Sequence, residues 1–489
     1  MAWAADNIRK RLMAMPMAVA LVPLVVGIGF SCCAEVPTAV WGVAVGACIA
    51  AAVLRRTRAG AWLCAAMFPL GAMLYALHTP PAIDYDTPHL LTLRAEGESV
   101  RGKERNTTYA EIVGYDGKRL TPTVRLVVRS DTTLRLAKGD CLSLRGQVRR
   151  FSDRSADYAS LMYHRGYAGV LWLDKGQMFD FVPATPQGGL HEWAVAKLTA
   201  TAKPSDARAT VVAMGAGERS QMSGELRRAY SRSGLSHLLA VSGLHVGIVF
   251  LLVNALLHLV PLLRHGNLWR CAVAVGAIWF YTALCGSAPS AVRAAAMFTV
   301  LQAGIAFSRE RVGLNTLATA GVAMLVCSPN LLFDTGFRLS FVAVAGIIAW
   351  GVPLMRALRT RSRVCNALLD ICIVGIVASL WTMPIVSHSF GIVPLAGIAL
   401  NPAVVVSANI VVLAAVVALL LPASVAGVAA VPALWCAEVQ NAMVGYAAQW
   451  DWCSVDYRLS AVAVGAIYAL FVALTLLAWG FARKAEQQA

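Results

Sequence analysis

The chain contains about twelve apolar runs, and most of them approach the roughly 20 residues that an α-helix needs to cross a bilayer. Only 14% of its residues are charged, whereas soluble domains carry about 25%. These features predict a polytopic α-helical membrane protein with about twelve spans. The approximate limits of the runs are 15–30, 36–54, 61–77, 241–263, 269–285, 290–307, 314–327, 337–355, 366–386, 396–421, 424–447 and 460–481.

Basic residues predict the orientation of these spans. Clusters at Arg9–Arg11 and Arg55–Arg58 flank the first two runs, and arginine or lysine recurs on the same side along the rest of the chain. Because cytoplasmic loops are enriched in these residues, we expect both termini in the cytoplasm and the protein in the cytoplasmic membrane. The net charge of +16 is then mostly this asymmetry. The later basic residues are Arg264, Arg270, Arg309, Arg311, Arg356, Arg359, Arg361, Arg363, Arg483 and Lys484.

Residues 78–191 are polar and turn-rich, and three preceding spans place them outside the cytoplasm. Thr123–Arg129 alternates between apolar and polar side chains, and so does Cys141–Val148, which is typical of half-buried strands. Tyr109–Tyr115 and Gly169–Leu173 are further candidate strands. About five short strands predict a small extracytoplasmic β-barrel that is OB-like.

A basic surface on such a barrel has two interpretations. OB folds often bind single-stranded nucleic acid through basic and aromatic side chains. The alternative is a solvated basic face, and we favour it on the sequence alone because a fold does not by itself define a function. The candidate DNA contacts are Arg125, Arg129, Arg145, Arg149, Arg150 and Arg165.

The remaining chain divides into two further segments. Residues 192–236 are amphipathic and are expected to form interfacial helices on the outer face. The predicted organisation is a three-span segment over 1–77, a β domain over 78–191, these helices, and a membrane domain over 237–489.

Gly234–Val253 reads GLSHLLAVSGLHVGIVFLLV and combines polar residues with the start of an apolar run. In one continuous helix, His237, Ser242 and His245 would share an arc of roughly 140°. Gly243 would instead allow the chain to break. Histidine is costly at membrane depth and usually faces protein or a water-filled cavity. The two histidines therefore either line a polar path or hydrogen-bond a neighbouring helix.

Polar residues recur beside later spans. Ser290 and Arg293 follow Pro289, which suits the first turn of a helix, and Arg293 either lines a path or extends to the interface. Arg338 lies four residues after Asp334 and is able to pair with it. Asn401 precedes Pro402, which is expected to break its helix.

These residues are rich in cationic and neutral polar groups and poor in acids, a composition that suits an anion. Two other functions stay open. Ser242 and His245 suggest an intramembrane serine hydrolase, although a three-residue spacing on one helix is poor geometry for it. A transporter of small anions or lipids is the third possibility. No Cys-x-x-Cys or His/Cys metal spacing occurs in the sequence, so we expect no cofactor.

Several segments together resemble the ComEC family of competence proteins. His237–Val246, HLLAVSGLHV, is similar to the family signature, and Gly215–Ser220 and Gly286–Met297 are similar to two further family segments. Asp334–Phe341 and Phe390–Asn401 resemble two more. The polar segment, with KGD followed by a strand and then DYASLMYHRGYAG, is similar to the family's extracytoplasmic domain, so the resemblance covers nearly the whole chain in order.

The resemblance implies a channel that takes up single-stranded DNA across the cytoplasmic membrane during natural transformation. It implies a DNA receptor and a cytoplasmic motor on other polypeptides, because the sequence has no Walker A motif. Longer family members continue into a metallo-β-lactamase-like domain, whose histidine cluster is not found here, so a separate nuclease is a further expected partner. DNA and membrane lipid are the expected ligands, whereas the oligomeric state stays open. The implied path residues are His237, Ser242, Gly243, His245, Ser290, Arg293, Arg338 and Asn401.

Overall fold

The structure is a computed structural model, and it describes residues 10–34, 36–55, 58–79, 83–97, 99, 105–120, 123–151, 159, 162–173, 179–184, 188–259, 267–306 and 313–486. Arg9, Arg56, Arg264, Arg309 and Arg311, on which part of the orientation prediction depends, lie outside these residues.

Most of the described chain is helical. In the numbering used here, the helices are α1 Pro16–Cys33, α2 Thr38–Leu54, α3 Ala59–His78, α4 Leu190–Thr199, α5 Asp206–Ala216, α6 Gly224–Arg232, α7 Gly243–Leu259, α8 Asn267–Leu284, α9 Pro289–Ala306, α10 Gly313–Cys327, α11 Thr335–Gly346, α12 Val352–Ala357, α13 Arg363–Phe390, α14 Ala396–Leu420, α15 Ala423–Ala447 and α16 Ala461–Glu486. A π-helical turn, Ile347–Gly351, joins α11 to α12.

Seven helical segments of the described chain are long and apolar enough to cross a membrane, as expected of a multi-pass membrane protein. A helix satisfies its backbone hydrogen bonds internally, which hydrocarbon requires of any spanning segment. The seven are Pro16–Cys33, Ala59–His78, Thr335–Ala357, Arg363–Phe390, Ala396–Leu420, Ala423–Ala447 and Ala461–Gly480. Four shorter apolar helices are Thr38–Leu54, Gly243–Leu259, Leu268–Leu284 and Gly313–Cys327.

The chain divides into two compact units. The larger unit comprises Met1–Leu21, Gly189–Ala323 and Thr335–Ala489, and the smaller unit comprises Val22–Gly188 and Met324–Asp334.

The smaller unit contains a seven-stranded sheet with the order β5-β6-β3-β2-β1-β4-β7. Neighbouring strands are antiparallel except β3 and β6, which are parallel. Gln147 alone separates β4 from β5, so this part of the chain pairs with β1 through β4 and with β6 through β5. The sheet therefore curls. The strands are β1 His89–Ala95, β2 Arg105–Tyr115, β3 Val124–Asp131, β4 Cys141–Gly146, β5 Val148–Arg149, β6 Tyr167–Trp172 and β7 Phe179–Val182.

Alternation along the strands builds the core of this sheet. Leu126 and Leu142 are almost fully buried, whereas the neighbouring Arg125 is exposed. Burying one such leucine stabilises the fold by about 1.5–3 kcal/mol. Gly169 lies so close to β5 that an added Cβ would be 2.5 Å from the Arg149 carbonyl oxygen. A side chain at this position is thereby excluded.

Within the smaller unit, His164 contacts the helices that precede the sheet. Its Nδ1 lies 2.7 Å from the Tyr75 hydroxyl and its Nε2 lies 3.3 Å from Cys32 Sγ. Its ring stacks on Phe333 at 4.5 Å between centroids. Burial lowers the pKa of His164, because a low-dielectric environment disfavours the charged form.

In the larger unit, α5 differs from the sequence prediction. The sequence predicts interfacial helices over 192–236, but α5 is buried on all sides and packs against α4, α14 and α15. Its side chains are apolar from Ala209 to Ala216, apart from Thr210, and the alanines and Gly215 among them allow neighbouring helices to approach closely. By contrast, α6 keeps an exposed charged face, as predicted.

The expected break at Pro402 is wrong, because α14 runs without interruption from Ala396 to Leu420. Pro402 lies in the second turn, where it costs the helix the hydrogen bond that a backbone N–H would make to Ile398. By contrast, α9 begins at Pro289 as predicted.

Candidate functional site

The central element of the site is an interruption between Gly234 and Gly243. A 3₁₀ turn covers Ser236–Leu238, and α7 begins only at Gly243. A continuous helix through this stretch is therefore wrong. The chain turns at Gly234, whose φ of +76° lies in the left-handed region that favours glycine.

His245 lies in the first turn of α7 and is completely buried. Its Nδ1 accepts a hydrogen bond from the Ser242 backbone N–H at 3.3 Å. The proton of a neutral ring is then on Nε2. Among the residues that the structure describes, His245 Nε2 and Ser242 Oγ are both buried without a hydrogen-bond partner. Two polar groups at the start of α7 are thus available to a ligand.

His237 has a different environment. Its side chain is exposed, yet the surrounding protein lowers its pKa, an effect that the hydrogen bond between its Nδ1 and the Gly234 carbonyl partly offsets. His237 also lies near His245.

Segments distant in sequence hold the interruption in place. The Ser290 hydroxyl donates to the Val241 carbonyl at 2.5 Å, and Arg219 Nε donates to the Leu239 carbonyl at 3.1 Å. An added Cβ at Gly217 would lie 3.1 Å from the Cys285 carbonyl oxygen and 3.4 Å from Val241 Cγ2. The start of α9 and the turn after α5 therefore meet at the interruption.

Arg293 extends the site to α11. It is only 7% exposed, and its Nε donates to the Ser340 hydroxyl at 3.2 Å. A Cβ on Gly243 would lie 3.7 Å from Ala294 Cβ. α9 thus presents Ser290 and Arg293 beside the start of α7.

Arg338 lies elsewhere on α11. Arg338 and Ser340 are two positions apart in sequence, which places them about 200° apart around the helix. The charge of Arg338 acts on Tyr468 of α16 instead. The structure therefore brings Arg293 of α9 to the interruption. Arg338 lies on a different side of α11 from Ser340, the residue that Arg293 contacts.

The other side of the interruption packs against the segment between α13 and α14. An added Cβ at Gly234 would be 2.3 Å from Pro394 Cβ, and one at Gly397 would be 2.6 Å from the Ser233 carbonyl oxygen. Asn401 is 8% exposed, and its Oδ1 has no hydrogen-bond partner within the described chain. Its amide nitrogen lies 2.9 Å from the Cβ position of Gly375.

In the β module, defined here as residues 83–184, one face of β2, β3 and β6 combines cations and aromatic rings. The guanidinium groups of Arg105 and Arg129 lie 4.8 and 4.9 Å from the centre of the Trp172 ring. Tyr109 and Tyr167 lie 5.3 Å apart between ring centroids. We name these five residues the Trp172 face.

The six arginines predicted as DNA contacts do not form one surface. Arg129 belongs to the Trp172 face, and Arg125, on the same strand, pairs with Glu96 at 2.6 Å. Arg150 lies 4.8 Å from the Tyr85 ring, and Arg165 pairs with Asp334 at 3.2 Å. Arg145 lies on β4, which β1 separates from β2 in the sheet, and its positive charge interacts with Asp116. Arg149 lies on the edge strand β5. Strand pairing separates positions that sequence spacing groups together.

The sequence analysis missed the other four members of this face as candidate contacts, Arg105, Tyr109, Tyr167 and Trp172. The alternation of buried and exposed positions along β2 is a sequence signal that could have found Arg105 and Tyr109. In β2 the buried Asn106, Thr108 and Ala110 alternate with side chains that are less buried. Trp172 is found only through the pairing of β3 with β6, which aligns it with Arg129.

An acid–base cluster lies at the start of β1. His89 Nδ1 is 2.6 Å from Asp116 and its Nε2 is 3.2 Å from Asp84. The bond to Asp116 is the main cause of a raised pKa at His89. The pKa of Asp84 is lowered to about 2, mainly by a hydrogen bond that the Thr87 hydroxyl donates to its carboxylate. The cluster joins the segment before β1 to the turn after β2.

These features define a multi-pass helical membrane protein with a curled β module and a polar site where helix α7 begins. The chain belongs to the competence protein family, because the family model described as "Competence protein" matches residues 214–482. The matched region contains every residue of the interruption and of the elements that contact it.

The chain is also similar to parts of three curated proteins. The chain is 32% identical to "ComE operon protein 3" of Bacillus subtilis over 38% of its length and 23% of that protein. It is 26% identical to "Uncharacterized protein YcaI" of Escherichia coli over 50% of the chain and 33% of that protein. An "Uncharacterized protein" of Aquifex aeolicus is 28% identical over 35% of the chain and 40% of its own length. The matches span less than half of each relative, and no solved structure matches the chain.

Proposed function

We propose that this protein is a channel that conducts single-stranded DNA across the cytoplasmic membrane during natural transformation. The observation that carries the proposal is the convergence of three segments on the interruption before α7. Arg219 and Gly217, Ser290 and Arg293, and Pro394 all contact it or lie beside it in the larger unit.

The chemistry of this site suits a phosphodiester. Arg293 is cationic at low exposure, and the start of α7 directs backbone N–H groups and the buried His245 Nε2 toward its surroundings. Such donors attract an anion. A threaded strand carries a phosphate on every nucleotide, so it needs weak and repeated contacts rather than one tight site.

We also propose a topology of twelve spans. The seven long apolar helices, the four shorter ones and α9 account for that number. With both termini in the cytoplasm, the β module is extracytoplasmic. This orientation follows the distribution of basic residues in the sequence.

The β module is proposed to be OB-like and to guide the strand. The pairing runs β1-β2-β3-β6 and returns to β1 through the β5–β4 segment, with β3 and β6 parallel. The Trp172 face supplies stacking platforms and guanidinium groups, which suit unpaired bases and phosphates.

Other polypeptides are proposed to supply the receptor, the motor and any nuclease.

We propose that the site performs no covalent chemistry. The imidazole of His245 bonds the backbone of Ser242, whereas a serine hydrolase needs a base bonded to the serine hydroxyl. Mutation of Ser242 to Ala separates the two functions, because a hydrolase loses all turnover whereas a channel keeps part of its uptake.

The proposal is tested by transformation of a deletion strain. The strain is complemented with wild type, Arg293→Ala or His245→Ala, and membrane abundance of each protein is measured alongside. We expect the deletion to abolish entry of labelled DNA into the cytoplasm, and each variant to lower entry at normal abundance. Normal transformation of the deletion strain would remove the proposal.

A further inference from the structure

Two arginines beside the interruption are anchored by single hydrogen bonds and keep most of their donors. Arg219 Nε donates to the Leu239 carbonyl, and the Arg227 guanidinium donates to the Arg219 carbonyl. A guanidinium carries five N–H groups. Within the described chain, the other four N–H groups of Arg219 have no hydrogen-bond partner, and neither arginine lies within ion-pair distance of a carboxylate.

The neighbouring acid does not neutralise this pair. Glu218 is engaged by the His191 imidazole at 3.9 Å and by the Ser220 backbone N–H at 2.6 Å, and these contacts lower its pKa to about 2. Burial lowers the pKa of Arg219, and the adjacent charge of Arg227 lowers it further, by more than Glu218 raises it. The guanidinium stays charged, since arginine is not deprotonated in proteins.

Arg219, like His237, is exposed to solvent. The carbonyl that it holds, that of Leu239, lies four residues before Gly243, where α7 begins. The arginine pair therefore lies at the edge of the interruption.

We propose that Arg219 and Arg227 form a binding site for a phosphodiester group at the edge of the interruption. Guanidinium N–H groups pair with the non-bridging oxygens of a phosphate, a contact for which arginine is well suited, and the Arg227 guanidinium lies against the backbone of Arg219. A DNA backbone and a phospholipid headgroup share this chemistry. The inference rests on the proposed function, because it identifies where the strand is held before it enters.

The test measures binding of a labelled 20-nucleotide oligo(dT) to the full chain in nanodiscs of zwitterionic lipid, by fluorescence anisotropy. Arg219→Gln and Arg227→Gln are each expected to weaken binding roughly 10- to 150-fold, since hydrogen bonds to charged groups contribute about 1.5–3 kcal/mol. The double variant is expected to lose little more than either single variant, because the two residues act on one phosphate. A loss equal to the product of the two single losses would overturn a shared site.

Arg228→Gln is the matched control. Arg228 is exposed on the same helix and its Nε bonds the Gly224 carbonyl of that helix. The substitution removes the same charge, so less than a 2-fold loss is expected. An equal loss in Arg228→Gln and Arg227→Gln would overturn the proposal in favour of general electrostatic attraction. Arg227→Gln keeps the Arg219–Leu239 bond, so this variant decides the matter if Arg219→Gln unfolds.

A second arm distinguishes the two sources of phosphodiester. The same variants are titrated with nanodiscs that contain phosphatidylglycerol. If the variants lose headgroup binding but bind the oligonucleotide normally, the site is assigned to lipid. If the variants lose neither activity, the proposed site is overturned. If both variants bind normally while the complemented strain still imports DNA, the arginine site is wrong and the proposed function stands. If wild type imports no DNA, the proposed function fails, and the lipid arm still decides the site.

Discussion

Substitution of Gly234 by alanine tests the packing of the interruption against the segment before α14. The residue has a φ of +76°, and a left-handed conformation costs a non-glycine residue about 1–2 kcal/mol. The added Cβ would also lie 2.3 Å from Pro394 Cβ and 2.7 Å from Pro394 Cγ. A proline ring has no rotamer by which it moves away, so we add an overpacking cost of about 1–3 kcal/mol. Gly234→Ala is therefore expected to lower the free energy of unfolding by about 2–5 kcal/mol.

Gly391→Ala is the matched control for backbone strain. Gly391 has a similar φ of +71°, but an added Cβ would meet nothing within 4 Å. It is expected to lose only about 1–2 kcal/mol. Unfolding is followed by tryptophan fluorescence as SDS is titrated into detergent micelles. Equal losses in the two variants would refute the close approach of Gly234 to Pro394.

The other predictions concern the β module and α9. Trp172→Leu is expected to weaken oligo(dT) binding by about 5–150-fold, since stacking contributes about 1–3 kcal/mol per base. The variant Trp452→Leu, at an exposed tryptophan, should bind normally, and equal losses in the two variants would contradict a role for the Trp172 face. The pKa of His89 is raised, so the stabilisation of the fold by the charged imidazole is complete below about pH 6.5. It is lost as pH rises through the raised pKa. The pKa values of Asp84 and Asp116 are lowered, so the stabilisation that these carboxylates contribute is present above about pH 3.9 and is lost as pH falls. For Asp84 the loss occurs as pH passes through its pKa of about 2. Thermal stability of wild type relative to His89→Gln should thus be greatest between about pH 4 and 6.5, and a difference independent of pH would contradict this. Ser290→Ala leaves the Val241 carbonyl without its donor and should cost about 1–3 kcal/mol of unfolding free energy, whereas the exposed Ser287→Ala should cost far less.

Local sequence patterns predict the elements better than their ends. The strands at Tyr109–Tyr115 and Thr123–Arg129 are confirmed, because their alternation reports directly on one buried face. β1 was missed because its adjacent leucines hide the period, although Leu90 is 52% exposed and Leu91 is fully buried. β7 pairs along β4 at the edge of the sheet and has only four residues, too few for a pattern.

Other differences arise from tertiary packing. The segment of α5 has no apolar stripe, because neighbouring helices cover it on all sides. Pro402 lies in a helix that the surrounding protein maintains, so its intrinsic tendency to break the helix does not prevail. Neither outcome follows from the local residues alone.

The candidate site was predicted in composition but not in arrangement. Histidine, serine and arginine in apolar surroundings indicate a polar site, since such residues are costly at membrane depth. The contact of Arg219 with Leu239 and that of Gly234 with Pro394 join residues that sequence spacing does not relate. The separation of Arg338 from Arg293 likewise depends on how α11 packs.

The most direct test of the proposed channel is the electrical current through purified protein in a planar bilayer, where an applied voltage replaces the motor. We predict that single-stranded oligonucleotides added to the extracytoplasmic side produce transient blockades whose duration increases with length, and that blunt duplexes do not. Arg293→Ala should alter the frequency or duration of these events. A bilayer that contains folded protein but shows neither conductance nor strand-dependent blockade would contradict the account.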